Sequence, residues 1–236
     1  MKNSSKNIVN RIIKGASKYQ KNFVGKTFLV LYEGNVSELT FKTANFKHLC
    51  GVSSPLTAKD FYRKALKGQL KESEISFTQD HPFSLADIKT QNIVDAFDIF
   101  SRDALVITEI TTKTRNYKLG TTDLNVVFCF DEQLDTVGNP INDILCPYSL
   151  RVENIPNKKF KDVFAVDFVL SKKSSDEVYT DVVFGNRELL SKYLADNNIA
   201  YPISDDIKVK RYKTPVIFGN TSVIDEEKSY KDVTDD

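Results

Sequence analysis

Apolar residues recur every three or four positions in the first part of the chain, which is the spacing of one face of an α-helix. Lysines occupy the positions between them, and Ser5 can cap the first turn. The pattern predicts a basic amphipathic helix that leads into the fold over residues 1–24. Its apolar stripe is expected to dock on a core, with contact to phosphates or to a membrane surface as the alternative. The stripe consists of Ile8, Val9, Ile12, Ile13, Ala16 and Tyr19.

A β-hairpin is predicted next, because two strand-like runs flank a short turn with a central glycine. The runs cover residues 26–32 and 36–41. Two amphipathic helices follow it. Thr57 opens the first with the spacing of a capping box, and Gly68 is expected to end it as a left-handed cap. Ser84 repeats the cap spacing before a longer apolar stripe.

From residue 104 the period of the pattern changes to that of β-strands. A polar connection over residues 111–122 is expected between the first two strands, and Asn186 is expected to cap a late helix. Helices that cluster before strands joined by short links favour an α+β fold, an antiparallel sheet with several packed helices, over a parallel α/β fold. We expect one domain over residues 25–200 and a turn-rich acidic tail over 201–236. The predicted strands cover residues 105–110, 124–130, 163–170 and 178–184.

The composition is that of an ordinary globular protein, with 41% apolar and 28% charged residues. Sixteen Phe and ten Tyr without any Trp indicate an aromatic core, in keeping with β-structure. No apolar run approaches the ~18 residues of a membrane span, and the N-terminus lacks the apolar core of a signal peptide. We therefore expect a protein of the bacterial cytoplasm that does not contact a membrane.

The three cysteines, Cys50, Cys129 and Cys146, are odd in number and far apart. No Cys-x-x-Cys or His-x-x-x-His pair occurs, so we expect buried free thiols and neither a structural zinc site nor another cofactor. The chain also lacks a phosphate-binding loop and a dinucleotide-binding glycine pattern.

The net charge of +1 argues against a strongly basic nucleic-acid-binding protein, yet the charges are unevenly distributed. Seven cations precede Glu33, which is the first acidic residue, and acidic residues dominate the last dozen positions. A basic head and an acidic tail can hold RNA at one end, bind each other, or simply be solvated.

The segment around His48 is the most informative for chemistry, because it places an imidazole and the ammonium of Lys47 between apolar anchors where a sheet passes into a helix. Its motif, Phe46-x-His48-Leu49-x-Gly51-Val52, resembles a phage-associated nuclease-like family of the barnase–EndoU–colicin–RelE (BECR) group. Residues 58–62 and 66–70 extend the resemblance, and Pro147-x-Ser149-Leu150 is similar to an element expected towards the C-terminal side of that family. The resemblance covers approximately residues 25 to 170.

The resemblance implies a small α+β nuclease-like domain encoded by phages or mobile elements. A metal-independent ribonuclease takes a proton from the ribose 2′-hydroxyl, gives one to the departing 5′-oxygen and stabilises a doubly charged phosphorane. His48 is the candidate acid or base, because its ordinary pKa of ~6.5 lies near the operating pH. The candidate phosphate-binding cations are Lys47, Lys118 and Arg151, and the candidate hydrogen-bond donors to phosphate oxygens are Ser149 and Thr121.

Each candidate also has a structural interpretation. His48 can be a half-buried packing residue, Ser149 can cap the segment that follows it, and Arg151 can be a surface residue. On a strand, Lys47 and His48 would point to opposite faces. The chain's other histidine, His81, lies in a predicted turn, and a two-histidine mechanism would need it although the motif does not contain it.

The leading functional hypothesis is a metal-independent ribonuclease-like effector or toxin that acts on RNA through His48. The alternative is a non-catalytic phage protein, built on the same fold, that binds or inhibits a host defence protein. A third hypothesis is a nucleotide-binding protein that uses the cationic segment around Lys118.

Overall fold

The computed structural model describes residues 2–112, 115–135, 137–152 and 159–209. The acidic residues predicted as a tail therefore lie outside the described residues from position 210 onward. The helices are α1 (Lys2–Asn22), α2 (Phe46–Cys50), α3 (Ala58–Leu66), α4 (Phe83–Ala96) and α5 (Arg187–Asp196). The strands are β1 (Lys26–Tyr32), β2 (Asn35–Thr40), β3 (Leu105–Thr111), β4 (Asn116–Thr122), β5 (Val127–Leu134), β6 (Pro140–Arg151), β7 (Val163–Ala165), β8 (Phe168–Lys173), β9 (Tyr179–Phe184) and β10 (Ile203–Val209).

The ten strands form one mixed sheet in the order β10-β9-β8-β1-β2-β6-β5-β4-β3-β7. The α+β class agrees with the sequence prediction, and most strand pairs are antiparallel as expected. Two pairs are parallel, β9 with β10 and β2 with β6. Parallel strands need a long crossover connection, and the segment containing α2, α3 and α4 lies between β2 and β6. The expectation of an antiparallel sheet therefore holds for most strand pairs and was wrong at these two.

Helices α1 to α4 pack on one face of the sheet around an aromatic core. Ile8 and Ile12 in α1 are fully buried, so the apolar stripe of this helix is part of the core. Phe23 stacks on Phe41 with ring centroids 4.1 Å apart, and Tyr19 packs at steep angles against the rings around it. The abundant phenylalanines and tyrosines fill the space between helices and strands.

The opposite face of the sheet is divided into two halves. Helix α5 covers the half formed by β1, β8, β9 and β10, where Leu29, Leu31 and Leu190 are buried together. The other half carries a smaller apolar cluster that includes Ile107, Tyr117 and Cys129. Because neighbouring residues of a strand point to opposite faces, β1 is buried on both of its sides.

Local signals placed several elements correctly. Thr57 Oγ1 accepts a hydrogen bond from the backbone N–H of Asp60 at 3.1 Å, and Gly68 has the predicted left-handed conformation with φ of 68°. Asn186 caps α5 by accepting a bond from the N–H of Glu188 at 3.0 Å. The three cysteines are free and buried, as expected.

Other predictions were wrong in detail. The cap of α4 is Pro82 rather than Ser84, and residues 163–170 form parts of two strands, β7 and β8. The polar connection over residues 111–122 is in large part a strand, β4, because Tyr117 and Leu119 turn inward while Lys118 between them stays exposed. Residues 203–209, expected to be turn-rich, form β10 and pair with β9.

Candidate active site

His48 lies in α2, a short helix held in place by its apolar residues. Phe46, Leu49 and Cys50 are fully buried, whereas His48 is at the surface. Strand geometry would have put Lys47 and His48 on opposite faces, but the segment is helical, and consecutive helical residues are about 100° apart around the axis. Lys47 and His48 are therefore neighbours on one rim of the helix.

Lys47 is fixed by the backbone that follows α2. Its ammonium donates hydrogen bonds to the carbonyl oxygens of Ser54 at 2.9 Å and Leu56 at 2.8 Å. This lysine holds the segment between α2 and α3 against the helix. It contributes positive charge to the surface around His48, while its hydrogen bonds are directed at the protein.

Gly51 ends α2 with a φ of 69° and allows a close approach of α4. A Cβ atom built on Gly51 would lie 2.7 Å from Cδ of Lys89. Lys89 occupies the apolar side of α4 and is only 8% exposed. The glycine of the sequence motif thus makes room for a buried lysine beside His48.

His81 joins the same surface from the turn before α4. Its backbone N–H donates to Thr78 Oγ1 at 3.2 Å, and its Nδ1 lies 3.4 Å from Ser53 Oγ. Ser53 pairs with Ser76 in an isolated antiparallel bridge, which fixes the turn relative to the end of α2. His81 is thereby held near the end of α2, close enough for its charge to act on His48.

The pKa of His48 is lowered from its ordinary value. Partial burial of the ring is the largest cause, because it disfavours the charged imidazolium. The positive charges of Lys47, His81 and Lys89 act in the same direction, in that order. The surface thus favours a neutral imidazole at position 48, the form that accepts a proton.

Lys118 and Thr121 lie in β4, away from this surface. Lys118 is exposed and forms an ion pair with Glu132 on the adjacent strand. Thr121 is 1% exposed, and its Oγ1 has no hydrogen-bond partner within the described part of the chain. Lys118 is therefore ion-paired within the sheet and Thr121 is buried, and neither side chain belongs to the His48 surface.

Ser149 and Arg151 lie in β6 on the face opposite to His48. Leu150 between them is buried in the core under the helices, so its two neighbours point the other way. Ser149 is paired across the sheet with Cys129 and hydrogen-bonds to the side chain of Tyr117. The structure therefore brings the candidate residues together in two groups, one with His48 and one with Ser149.

Several residues of these two surfaces were not singled out from the sequence. Lys89 could have been recognised in the sequence, because it is a charged residue in the apolar stripe between Leu85 and Ile93. Beside Ser149, the guanidinium of Arg115 lies 4.0 Å from the ring centroid of Tyr148 and hydrogen-bonds to Asp131 at 2.9 Å. That group is assembled from β5, β6 and the residue that precedes β4, and no local pattern in the sequence indicates it.

Within the described residues, no three His, Cys, Asp or Glu side chains are grouped so as to hold a metal ion. None of the helices described is long and apolar enough to cross a membrane.

The helical layer on one face of a large mixed sheet, with a histidine surface at α2, is consistent with the nuclease-like class of α+β proteins. A family model described as phage-Barnase-EndoU-ColicinE5/D-RelE like nuclease 4 matches residues 11–188. Since this is more than half of the chain, the protein belongs to that family. The match confirms the resemblance and extends it into the second half of α1 and the first turn of α5. Comparisons with curated proteins and with solved structures give no significant match.

Proposed function

We propose that the protein is a metal-independent ribonuclease whose reaction centre is the surface shared by His48 and His81. The observation that carries the proposal is the convergence of the two histidines of the chain, from α2 and from the turn before α4, beside the buried Lys89. Membership of a nuclease-like family supports the same class of reaction.

In the proposed reaction, neutral His48 accepts the proton of the ribose 2′-hydroxyl as its oxygen attacks phosphorus. The bond from phosphorus to the 5′-oxygen breaks, and protonated His81 donates a proton to that oxygen. The products are a 2′,3′-cyclic phosphate end and a 5′-hydroxyl end. The lowered pKa of His48 suits the role of base, since it keeps the accepting form populated at neutral pH.

The positive charges of Lys89 and Lys47 stabilise the negative charge that develops on the phosphorane. Lys47 acts through its field, because its hydrogen bonds are made to Ser54 and Leu56. In this proposal Lys118, Thr121, Ser149 and Arg151 have no chemical role, since they lie on β4 and β6 in other surroundings.

The test is incubation of the purified protein with total RNA in EDTA. We expect the wild type to leave 2′,3′-cyclic phosphate ends and His48→Ala to lose at least about 100-fold in rate, in line with the contribution of a general base. His81→Ala should lose a comparable factor. Lys192→Ala, an exposed change on α5 with 74% side-chain exposure, is the control and should retain full activity.

Cleavage retained by folded His48→Ala would refute the assignment of the base. Absence of cleavage by the wild type would instead favour the non-catalytic binding protein, and capture of a host protein would then be the next measurement. The nucleotide-binding hypothesis draws no support from the segment around Lys118, which is the strand β4 and in which that lysine forms an ion pair with Glu132.

A further inference from the structure

Helix α1 contains 21 residues and not one Asp or Glu, although the chain as a whole carries 32 acidic residues against 33 lysines and arginines. In a protein so nearly neutral, a long acid-free surface helix is a local exception. Its apolar stripe is buried, so the helix is anchored on the core and presents a fixed outer face to solvent.

The five cations of α1 whose side chains are described fall into two sets with different surroundings. Arg11 forms an ion pair with Asp87 in α4, and Lys18 forms one with Asp98 just after that helix. Asn22 adds a hydrogen bond to the carbonyl oxygen of Phe97 at 2.7 Å. These flanking cations are neutralised by the protein itself and fix the position of α1.

The second set lies on the outer face, opposite to the buried stripe. It consists of Lys6, Lys14 and Lys21, with Asn10 and Ser17 between them, and all five are exposed. Their spacing of four, eight, eleven and fifteen residues from Lys6 places them along one line of the helix. In the part of the chain that is described, the three ammonium groups have no ion-pair partner.

This lysine face, defined by Lys6, Lys14 and Lys21, extends over about 22 Å at the ~1.5 Å rise of an α-helix. A membrane surface is a poor fit, because a helix that binds lipid must expose apolar residues and those of α1 are buried in the core. A folded protein partner would need apolar or aromatic anchors, and the outer face has none among its described residues. A row of phosphates fits a row of uncompensated ammonium groups.

We propose that the lysine face binds the phosphate backbone of single-stranded RNA, independently of sequence. The inference deepens the proposed function and rests on it for the identity of the polyanion. Helix α4 packs against both α1 and α2, so the lysine face and the His48 surface belong to one helical layer. The lysines contact RNA that flanks the cleaved bond, and they take no part in proton transfer.

The test is fluorescence anisotropy with a labelled single-stranded RNA of mixed sequence, in the His48→Ala background so that the probe is not cleaved. Changing Lys6, Lys14 and Lys21 together to Gln should raise Kd at least about tenfold at low salt. The slope of log Kd against log salt should fall by about 2, since each lost contact to a single strand contributes roughly 0.7. The control changes the exposed Lys173, Lys192 and Lys208 to Gln, an equal change of net charge outside α1, and should leave Kd within about twofold.

Equal weakening by the two triple variants, or no weakening by the first, would overturn the proposal, as would lysine-dependent binding to anionic lipid vesicles without binding to RNA. Unchanged thermal unfolding of both variants ensures that binding is being compared between folded proteins.

The proposed reaction and the proposed lysine face can be refuted independently of each other. RNA binding that depends on the lysine face, in a wild type that cleaves nothing, refutes only the reaction. If the protein cleaves RNA and its KM does not change when Lys6, Lys14 and Lys21 are replaced, only the proposal of the lysine face is refuted.

Discussion

At the scale of single residues, His48 shows how neighbours decide the role of a side chain. A histidine between apolar residues is most often a packing residue, but here the flanking residues turn inward and the imidazole is left at the surface. Lys47, His81 and Lys89 surround it with positive charge. Partial burial of the ring is the main cause of its bias towards the neutral form, and these charges, which come from α2, α4 and the turn before α4, act in the same direction.

The pKa of His48 should be measured by following its imidazole proton signals with NMR across pH. We expect a midpoint below the ordinary value of ~6.5, and an upward shift in His81→Gln, because a neighbouring positive charge is removed. Lys192→Gln on α5 is the control and should leave the midpoint unchanged. An unchanged midpoint in His81→Gln would show that the two rings do not interact.

The lowered pKa of His48 also makes the stability of the protein depend on pH. A histidine whose pKa is lower in the folded protein than in the unfolded chain binds protons more readily when unfolded. The contribution of His48 to the free energy of unfolding is therefore present above about pH 6.5 and is lost as the pH falls through the folded pKa. Acidification should weaken the fold locally at α2, and amide hydrogen exchange in α2 at two pH values would measure this.

At the scale of elements, α2 depends on the glycine that ends it. Gly51 has a positive φ, and a side chain there would also meet the stem of Lys89 on α4. Gly68, which follows α3, has nearly the same φ of 68°, but no atom lies within 4 Å of the position that an alanine methyl group would take. Comparing alanine substitutions at the two glycines therefore separates the free-energy cost of the left-handed backbone from the cost of the steric contact with Lys89.

We expect Gly68→Ala to lower the free energy of unfolding by about 1–2 kcal/mol, the cost of a left-handed conformation for alanine. Gly51→Ala should cost about 1 kcal/mol or more beyond that, because a buried contact at 2.7 Å must be relieved. Urea denaturation of both variants measures the difference. Equal losses would indicate that Lys89 moves aside freely.

At the scale of the whole molecule, a buried ion pair connects the end of the helical layer to the sheet. Arg102, which follows α4, lies 2.6 Å from Asp123 in the turn between β4 and β5, with side-chain exposures of 8% and 4%. Asp123 also accepts hydrogen bonds from the backbone N–H groups of Asn125 and Val126. The pair therefore fixes the turn as well as the contact between layers.

Arg102→Met should lower the free energy of unfolding by about 3–5 kcal/mol, because it leaves the buried carboxylate without its cation. The matched control is Lys161→Met, which removes the exposed pair with Glu109, where the two side chains are 62% and 65% exposed. That change should cost less than about 1 kcal/mol. Similar losses in chemical denaturation would mean that the Arg102 pair is solvated in solution.

The sequence by itself determined the features that depend on neighbours along the chain. The caps at Thr57 and Asn186, the left-handed Gly68 and the hairpin of β1 and β2 are local, because turn and cap conformations are decided within a few residues. The α+β class and the family also followed from the sequence, since the order of helical and strand periods and the His48 motif are both visible in it.

The tertiary structure alone decided which distant residues share a surface. It placed His81 and Lys89 beside His48, and it placed Ser149 on the other face of the sheet, although the sequence motifs had joined Ser149 to His48. The physical reason is that strand order and register are set by pairings far apart in the chain, such as the parallel pair of Leu39 with Leu145. The alternation of residues along a strand does not reveal which of its two faces lies under α1 to α4. Packing in the folded protein decides that.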